Sequence, residues 1–329
     1  MGRLFILFTL VCCQFGVMGQ PATEWHNRGK KYLIEGDYVA AISNLQSALA
    51  QDSSDLSVIK DLALAYNFQD EFAKTIQLFK PLIDSGKMDD QCVQLAGNAF
   101  KSLHQYDAFE TLYKKALKDY PENGILYNEL AELLWSLKDM NCITYWEKGI
   151  QNDPNYANNY YNACLFYNQK NEKIWPLIYG EIFVNLDPSG KKTPEMKEML
   201  LNNYRQLFSQ SALNSLAPSN NTFIQKFLGT IYKQHNVIAD TVTTSTLTML
   251  RTRFILDWFY DPTDAMPFYL FEYHKQLLEI GLFEAYNQWL FGSTEDLIKF
   301  QNWAQLHNTE YKAFVQFQQS KLFKITKRN

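Results

Sequence analysis

The sequence predicts an all-α fold: a right-handed α-solenoid of about five helical hairpins, followed by a further helical region. A pattern of large and small apolar residues recurs about every 34 positions through the first half of the chain, as in proteins built from repeated units. Sustained alternation of apolar and polar residues, which is typical of strands, is absent. Only the stretch 237–244, "VIADTVTT", is compatible with a short strand.

The repeat is defined by three places in each unit. A large apolar residue stands at the first place, at steps of 34, 34, 34 and 33 residues. A small residue follows four positions later, and a second large residue follows three positions after that. The three series are Trp25, Ile59, Val93, Tyr127 and Tyr160; Gly29, Ala63, Gly97, Ala131 and Cys164; Tyr32, Tyr66, Phe100, Leu134 and Tyr167. The pattern keeps its phase over about 165 residues and therefore indicates a structural repeat.

The spacing inside a unit predicts two antiparallel helices, A and B. Apolar residues three and four apart form one helix face, and a polar break such as Glu35-Gly36-Asp37 interrupts it. The small residue of the second series is expected where helix A meets helix B. Pro121, Pro154 and Pro188 close units three to five, because proline has no N–H with which to continue a helix.

This order of residues resembles the tetratricopeptide repeat (TPR) family. The resemblance extends from residue 22 to about residue 189 and is closest in "WHNRGKKYLIEGDYVAAISNLQSA" and "YDAFETLYKKALKDYPEN". Unit five departs from the pattern, because Trp175-Pro176 stands where its second helix should begin and Gly180 replaces a large apolar residue. We interpret it as a late-starting, degenerate hairpin.

The resemblance implies a binding site on the concave face, which helices A build. The residues at the ligand-facing places of the family pattern are His26, Lys30, Lys60, Asn67, Gln94, Asn98, Lys101, Asn128, Glu132, Trp135, Tyr161 and Asn168. Their amides suit an extended peptide, because an amide can bond both backbone N–H and C=O groups. The lysines near the N-terminal end weakly favour an acidic segment. The alternative is that these residues are solvated helix faces without a ligand.

One TPR subtype grips a free C-terminal carboxylate with a characteristic set of lysines and asparagines. The corresponding places here hold Asp61, Leu64 and Glu129. This carboxylate clamp is therefore missing, and binding of a chaperone's C-terminal tail is not expected.

The first nineteen residues predict an export signal. Arg3 precedes a ten-residue apolar run from Leu4 to Cys13, which is too short to span a bilayer core, and Val17-Met18-Gly19 suits cleavage before Gln20. An uncleaved anchor and a lipoprotein signal ending at Cys12-Cys13 are the alternatives. We therefore expect an exported protein, periplasmic or extracellular and in contact with the cell envelope, with a signal at 1–19, a solenoid at 20–190 and a helical region at 191–329.

Composition and motifs restrict the function. The net charge of −4 argues against nucleic-acid binding, which requires a basic face. We find no catalytic, nucleotide-binding or metal-binding motif and so expect no enzyme activity, no cofactor and no metal. Cys92, Cys142 and Cys164 are widely spaced within helical patterns, which favours small buried packing residues over disulfides.

In the second half the 34-residue phase is lost from Lys191. Thr193-Pro194-Glu195 predicts a helix cap and first turn, with the helix running to Leu207, and a linker follows at 214–221. Further helices are predicted at about 222–234, 244–260, 265–280, 282–291, 294–306 and 308–322. We favour a compact helical domain with an aromatic core over a continued solenoid.

The sequence leaves more than one function open. The leading hypothesis is a scaffold that binds another protein or an extended peptide, and self-assembly through uncapped solenoid ends is a structural option that leaves the oligomeric state unknown. The alternative is a ligand-binding or enzymatic C-terminal domain built on Arg251, Asp257 and His274, with Asp261 and Asp264 nearby. We expect His274 to be an ordinary helix residue and Arg251 to lie on a solvated edge.

Overall fold

A computed structural model describes residues 21–208, 220–234, 242–261 and 266–326. The chain divides into two compact units, one ending at Ala116 and one beginning at Leu117, and each is described by itself. The predicted signal 1–19, most of the linker 214–221, most of the stretch 237–244, and Asp264 lie outside the described residues. The predicted domain boundary at 190 does not coincide with the division between the units.

The first unit is a series of helical hairpins. Its helices are α1 (Ala22–Glu35), α2 (Tyr38–Gln51), α3 (Leu56–Phe68), α4 (Phe72–Ser85), α5 (Asp90–Ser102) and the greater part of α6 (Tyr106–Asp119). Aspartates begin several of them, because the side chains of Asp37, Asp55 and Asp89 accept hydrogen bonds from backbone N–H groups of the first turn. Helix α3 contacts both α1 and α5, so successive A helices lie side by side.

The second unit contains the remaining helices. They are α7 (Gly124–Ser136), α8 (Cys142–Asn152), α9 (Ala157–Gln169), α10 (Trp175–Leu186), α11 (Thr193–Leu207), α12 (Thr222–Tyr232), α13 (Thr244–Trp258), α14 (Tyr269–Glu279), α15 (Phe283–Asn287), a π-helical turn (Gln288–Gly292), α16 (Ser293–Glu295), α17 (Leu297–Leu306) and α18 (Asn308–Ser320). The described ranges contain helices and no strand, which confirms the predicted all-α class. None of the described helices is long and apolar enough to cross a membrane.

In the first and third hairpins the small residue is required by a close helix contact. A Cβ added at Gly29 would lie 2.5 Å from Cγ of Leu45, and one at Gly97 would lie 2.4 Å from the hydroxyl of Tyr113. Real Cβ atoms do not approach other atoms so closely, so these glycines let helix A and helix B meet, as the repeat pattern predicts.

The turn between helices A and B uses a left-handed backbone conformation at equivalent positions. Gly36 has φ 78°, and Asp70, His104, Lys138 and Asn171 have φ 57°, 56°, 62° and 59°. These positions are separated by 34, 34, 34 and 33 residues, so the backbone repeats with the same period as the side chains. A left-handed conformation costs an L-residue roughly 1–2 kcal/mol, whereas glycine adopts it freely. Of these five turns, the one in unit one has a glycine, Gly36.

Helix α11 continues the repeat one helix further than predicted. The side chain of Asn168 on α9 accepts a hydrogen bond from Asn203 on α11 at 3.0 Å, and Cys164 contacts Met199. Both pairs are 35 residues apart, close to the 33- or 34-residue step of the repeat, so α11 takes the place of a further A helix and the predicted loss of phase at Lys191 comes too early. The predicted cap is also shifted: Thr193 begins the helix and Lys192 precedes it.

The aromatic residues after position 250 form a core, as predicted. Phe254, Trp258, Phe271 and Phe291 are all less than 9% exposed. The three described cysteines are free and buried, in agreement with a packing role. Burial raises the pKa of the Cys164 thiol to about 12, so the thiol stays protonated and unreactive at neutral pH.

Candidate functional site

A buried polar network lies in the second unit and centres on Glu181 of α10. One carboxylate oxygen, Oε1, accepts hydrogen bonds from Arg251, from His274 Nε2 at 2.8 Å and from the hydroxyl of Tyr286 at 2.7 Å. The second oxygen accepts from the hydroxyl of Tyr204 at 3.3 Å. The network therefore joins α10 and α11 to α13, α14 and α15.

Arg251 is enclosed on all sides. Its guanidinium also donates to the side chain of Asn287 and lies within 5.6 Å of four ring centroids. Those rings belong to Tyr204, Phe283, Tyr286 and Phe291. The expectation that Arg251 lies on a solvated edge is wrong, because it is only 5% exposed.

The charges in the network set its protonation. Burial alone would raise the pKa of Glu181, but the charge of Arg251 and the hydrogen bonds from His274 and Tyr286 lower it to about 2. Burial lowers the pKa of His274, since the desolvation of an imidazolium outweighs its attraction to Glu181. At neutral pH the network is thus an ion pair of Glu181 and Arg251 with a neutral His274.

This arrangement does not form the C-terminal catalytic site considered above. Arg251 and His274 do converge, but on Glu181, and they are 5% and 3% exposed, so a substrate has no access to them. Asp257 instead accepts a hydrogen bond from Gln234 at 2.5 Å. Within the described part of the chain, no group of three or more His, Cys, Asp or Glu side chains is placed to hold a metal ion.

In the first unit, several predicted ligand-facing residues bind neighbouring helices. His26 Nε2 lies 2.6 Å from Asp61, and Lys60 pairs with Asp89 at 3.0 Å. The amide of Asn67 donates to the carbonyl of Leu95 at 3.0 Å. These three contacts connect successive A helices or the segments just before them, so they stabilise the stack.

The other four predicted residues of the first unit are more open. Lys30 and Asn98 are exposed, and Gln94 and Lys101 are half-buried. The ammonium group of Lys101 lies 5.5 Å from the ring centroid of Phe109. Lys30 and Asn98 are therefore the members of this set best placed to meet a ligand.

In the second unit, amides link the A helices. Asn162 donates to Asn128 at 2.8 Å and to Glu132 at 2.9 Å. Trp135 packs edge-on against Trp146, with ring centroids 5.2 Å apart.

Tyr161 and Asn168 are placed differently. Tyr161 packs on Phe183 and is covered by the ammonium group of Lys192, 4.2 Å from its ring centroid. Asn168, bonded to Asn203, lies at the edge of an open groove between α9 and α11. Of the predicted residues in the second unit, Asn168 is the one that borders this groove.

An open groove, here called the α9–α11 groove, lies in the second unit beside Asn168. It has a volume of about 430 Å³ and is lined mainly by amides and carboxylates. The lining residues are Asn168, Asn171, Glu172, Lys173, Glu195, Glu198, Met199, Asn202, Asn203 and Gln206. Lys173 donates to Asn171 at 2.6 Å, so an amide oxygen of the groove already binds an ammonium group.

Comparison with known proteins identifies the repeat. No family model matches the chain. The mouse protein "Tetratricopeptide repeat protein 21A" is 26% identical over 106 residues, which are 32% of this chain and 8% of that protein. This match and the phased hairpins support a chain built from repeats of the tetratricopeptide type.

Several solved structures are similar to parts of this chain. The MamA protein is 19% identical, with a TM-score of 0.44, over 53% of this chain and 95% of its own. TTC0263, a TPR protein of Thermus thermophilus, is 11% identical, with a TM-score of 0.42, over 56% and 98% of the two chains. YrrB, described as a TPR protein with an unusual peptide-binding site, is 15% identical, with a TM-score of 0.40, over 51% and 87%.

Sequence reasoning missed two parts of the protein's polar structure. Glu181 stands in the apolar stretch "WPLIYGEIFVNL", and a lone carboxylate among buried residues was a signal that it needs a cationic partner. The groove residues on α11 lie outside the predicted repeat, because the sequence analysis ends the 34-residue phase at Lys191. Comparing positions 35 residues apart, such as Asn168 and Asn203, would have found them.

Proposed function

We propose that this protein is a scaffold of the cell envelope that binds an extended segment of another protein in the α9–α11 groove. The observation that carries the proposal is an open groove between two consecutive A helices whose lining is rich in amides. Amide side chains donate and accept hydrogen bonds at once, so they can pair with the backbone of an extended segment whatever its side chains are.

The charge of the groove favours a basic segment. Three glutamates, Glu172, Glu195 and Glu198, line it against one lysine, Lys173. The sequence weakly favours an acidic segment because of lysines near the N-terminal end, but those lysines do not line this groove. One of them, Lys60, is already paired with Asp89. A lysine or arginine in the ligand would reach the glutamates while amides such as Asn202 bond its backbone.

Photo-crosslinking tests the proposal in the native host. A photoreactive amino acid at Asn202, which is exposed in the groove, should form a crosslink to one or a few proteins. The same amino acid at Gln151, an exposed position on α8, is the matched control and should not form that crosslink. Equal crosslinking from both positions would reject the groove as the binding site.

The charge preference is tested with the crosslinked segment itself. A synthetic peptide of that segment should bind the purified protein in calorimetry, and Glu198→Lys should weaken binding by about tenfold, because it replaces an attraction with a repulsion. Glu122→Lys, at an exposed site outside the groove lining, should leave the affinity unchanged. If both substitutions weaken binding equally, the affinity depends on the net charge of the protein and the groove has no charge preference of its own.

Placement in the envelope is part of the same proposal. It is supported by the apolar run Leu4 to Cys13, the single preceding charge at Arg3 and the small residues before Gln20. Mass spectrometry of the protein from fractionated cells should find a mature N-terminus at Gln20 in the exported fraction. A full-length N-terminus in the cytosolic fraction would overturn this placement.

A further inference from the structure

The last described residues form an extended segment that lies against the second unit. After α18 ends at Ser320, residues 321–326, here called the tail, adopt neither helix nor strand pairing. Phe323 and Ile325 are half-buried, while the flanking Leu322, Lys324 and Thr326 are exposed. Alternating burial is the side-chain pattern of an extended peptide docked on a surface by one face.

The backbone of the tail is held by one side chain. Asn155, in the turn between α8 and α9, donates from Nδ2 to the carbonyl of Ile325 at 3.0 Å. Its Oδ1 accepts from the N–H of the same residue at 2.9 Å. A single amide thus pairs with both main-chain groups of one residue, a contact that recognises an extended backbone and not a particular side chain.

The side chains of the tail dock on α14. The ring of Phe323 packs edge-on against Tyr273, with centroids 5.1 Å apart and planes at 75°. A cavity of about 320 Å³ remains beside this contact, lined by the tail, by α14 residues including Tyr269 and Gln276, and by Phe317. The tail therefore covers this cleft without filling it.

We propose that the cleft bounded by Asn155 and Tyr273, here called the tail cleft, is a second peptide-docking site and that the tail is its displaceable internal ligand. The occupant that displaces the tail is an extended segment of a partner protein with an aromatic residue, an aliphatic residue two positions later and flanking lysines. The tail itself shows this pattern in Phe323 and Ile325, with Lys321 and Lys324 beside them.

Two observations favour exchange over a permanent contact. The unfilled volume leaves room for a ligand with larger side chains, which would gain packing energy that the tail does not have. Glu272 lines the cleft, so its charge suits a segment that carries lysines. Besides these contacts, the tail has the advantage of a high effective concentration, which is on the order of millimolar for a short tether.

The test uses the full chain and a fluorescent peptide with the sequence of residues 319–329. Ile325→Pro in the protein removes the N–H that Asn155 binds and should release the tail. In fluorescence anisotropy the peptide should bind this variant at least about tenfold more tightly than the wild type, whose own tail competes. Thr326→Pro, the neighbouring exposed position, should behave as the wild type. Equal binding to Ile325→Pro and the wild type would overturn the proposal.

Recognition is tested on both partners. Adding Asn155→Ala to the Ile325→Pro protein should weaken peptide binding by about tenfold, since two hydrogen bonds are lost at an exposed turn. A peptide in which Ser replaces the residues equivalent to Phe323 and Ile325 should not bind, whereas one changed only at the exposed Leu322 should bind as before. If neither Asn155→Ala nor the serine-substituted peptide changes the affinity, the cleft does not recognise the peptide.

Discussion

Glu181 and Arg251 form an ion pair between residues 70 positions apart in the sequence, and their side chains are only 1% and 6% exposed. Charges so deeply buried are tolerated only when they are paired and hydrogen-bonded. The pair is therefore a specific connection between α10 of the repeat and α13 of the C-terminal region.

Removing the charge of Glu181 should destabilise the protein strongly. Glu181→Gln keeps the size of the side chain but leaves the guanidinium of Arg251 buried without a counter-charge. We expect the free energy of unfolding, measured by circular dichroism in urea, to fall by about 3–5 kcal/mol. Glu279→Gln, at an exposed carboxylate 3.9 Å from Lys275, should cost less than about 0.5 kcal/mol. A loss below about 1 kcal/mol at Glu181 would contradict the role of the pair.

Stability should decrease in acid in two stages. The pKa of His274 is lowered from 6.5 by burial, so below that pH the unfolded chain binds a proton that the folded chain does not. The pKa of Glu181 is lowered from 4.5 to about 2, so the unfolded chain takes up a second proton below 4.5. Both changes favour unfolding as the pH falls.

The measurement is the urea midpoint as a function of pH. It should begin to fall as the pH approaches 6.5 from above, continue to fall between 6.5 and 4.5, and fall more steeply below 4.5. His274→Gln should reduce the first part of the decrease, because the titrating imidazole is removed. A midpoint that does not change from about pH 7 to about pH 4 would refute the assignment.

Two glycines of the second unit should respond oppositely to alanine. A Cβ at Gly149 would lie 2.4 Å from the side-chain nitrogen of the buried Asn159, so Gly149→Ala should lower the free energy of unfolding by about 1–3 kcal/mol. A Cβ at Gly229, inside α12, meets nothing within 4 Å, so Gly229→Ala should raise it by about 0.5–1 kcal/mol. Thermal melts of both variants check this, and equal effects would contradict the packing argument.

A glycine at position 138, in the turn between α7 and α8, should stabilise the protein. Lys138 has φ 62°, which an L-residue adopts at a cost, so Lys138→Gly should stabilise the protein by about 1 kcal/mol. Lys170, whose φ is −80°, is the matched control, and Lys170→Gly should be neutral or destabilising. A destabilising effect at Lys138 would show that its side chain contributes more than its backbone costs.

The predicted binding residues of the first unit should separate into two classes. Asn67 donates to Leu95 and accepts from Thr75 at 2.8 Å, so Asn67→Ala should cost about 1–2 kcal/mol of stability. Asn98 is exposed, and Asn98→Ala should change stability by less than about 0.5 kcal/mol. Urea denaturation distinguishes them, and equal losses would place both in the structural class.

The fold was largely predictable because packing constrains a repeat directly. Gly29 must be small to admit Leu45, and this requirement recurs in phase and is visible in one sequence. The polar network was not predictable, because Glu181, His274 and Arg251 come from helices with no fixed spacing. The groove was predictable only in part: Asn168 follows from the family pattern, whereas Asn202 and Glu198 lie on a helix beyond the predicted repeat.

Helices α1 and α10 differ in how firmly they are packed. Helix α1 buries only Gly29, and Ile34 near its end is 86% exposed. Helix α10 is hydrogen-bonded to four later helices through Glu181. Local opening is easiest where few side chains are buried, so α1 should open more readily than α10. Amide hydrogen exchange should therefore be fast in the first hairpin and slowest around Glu181.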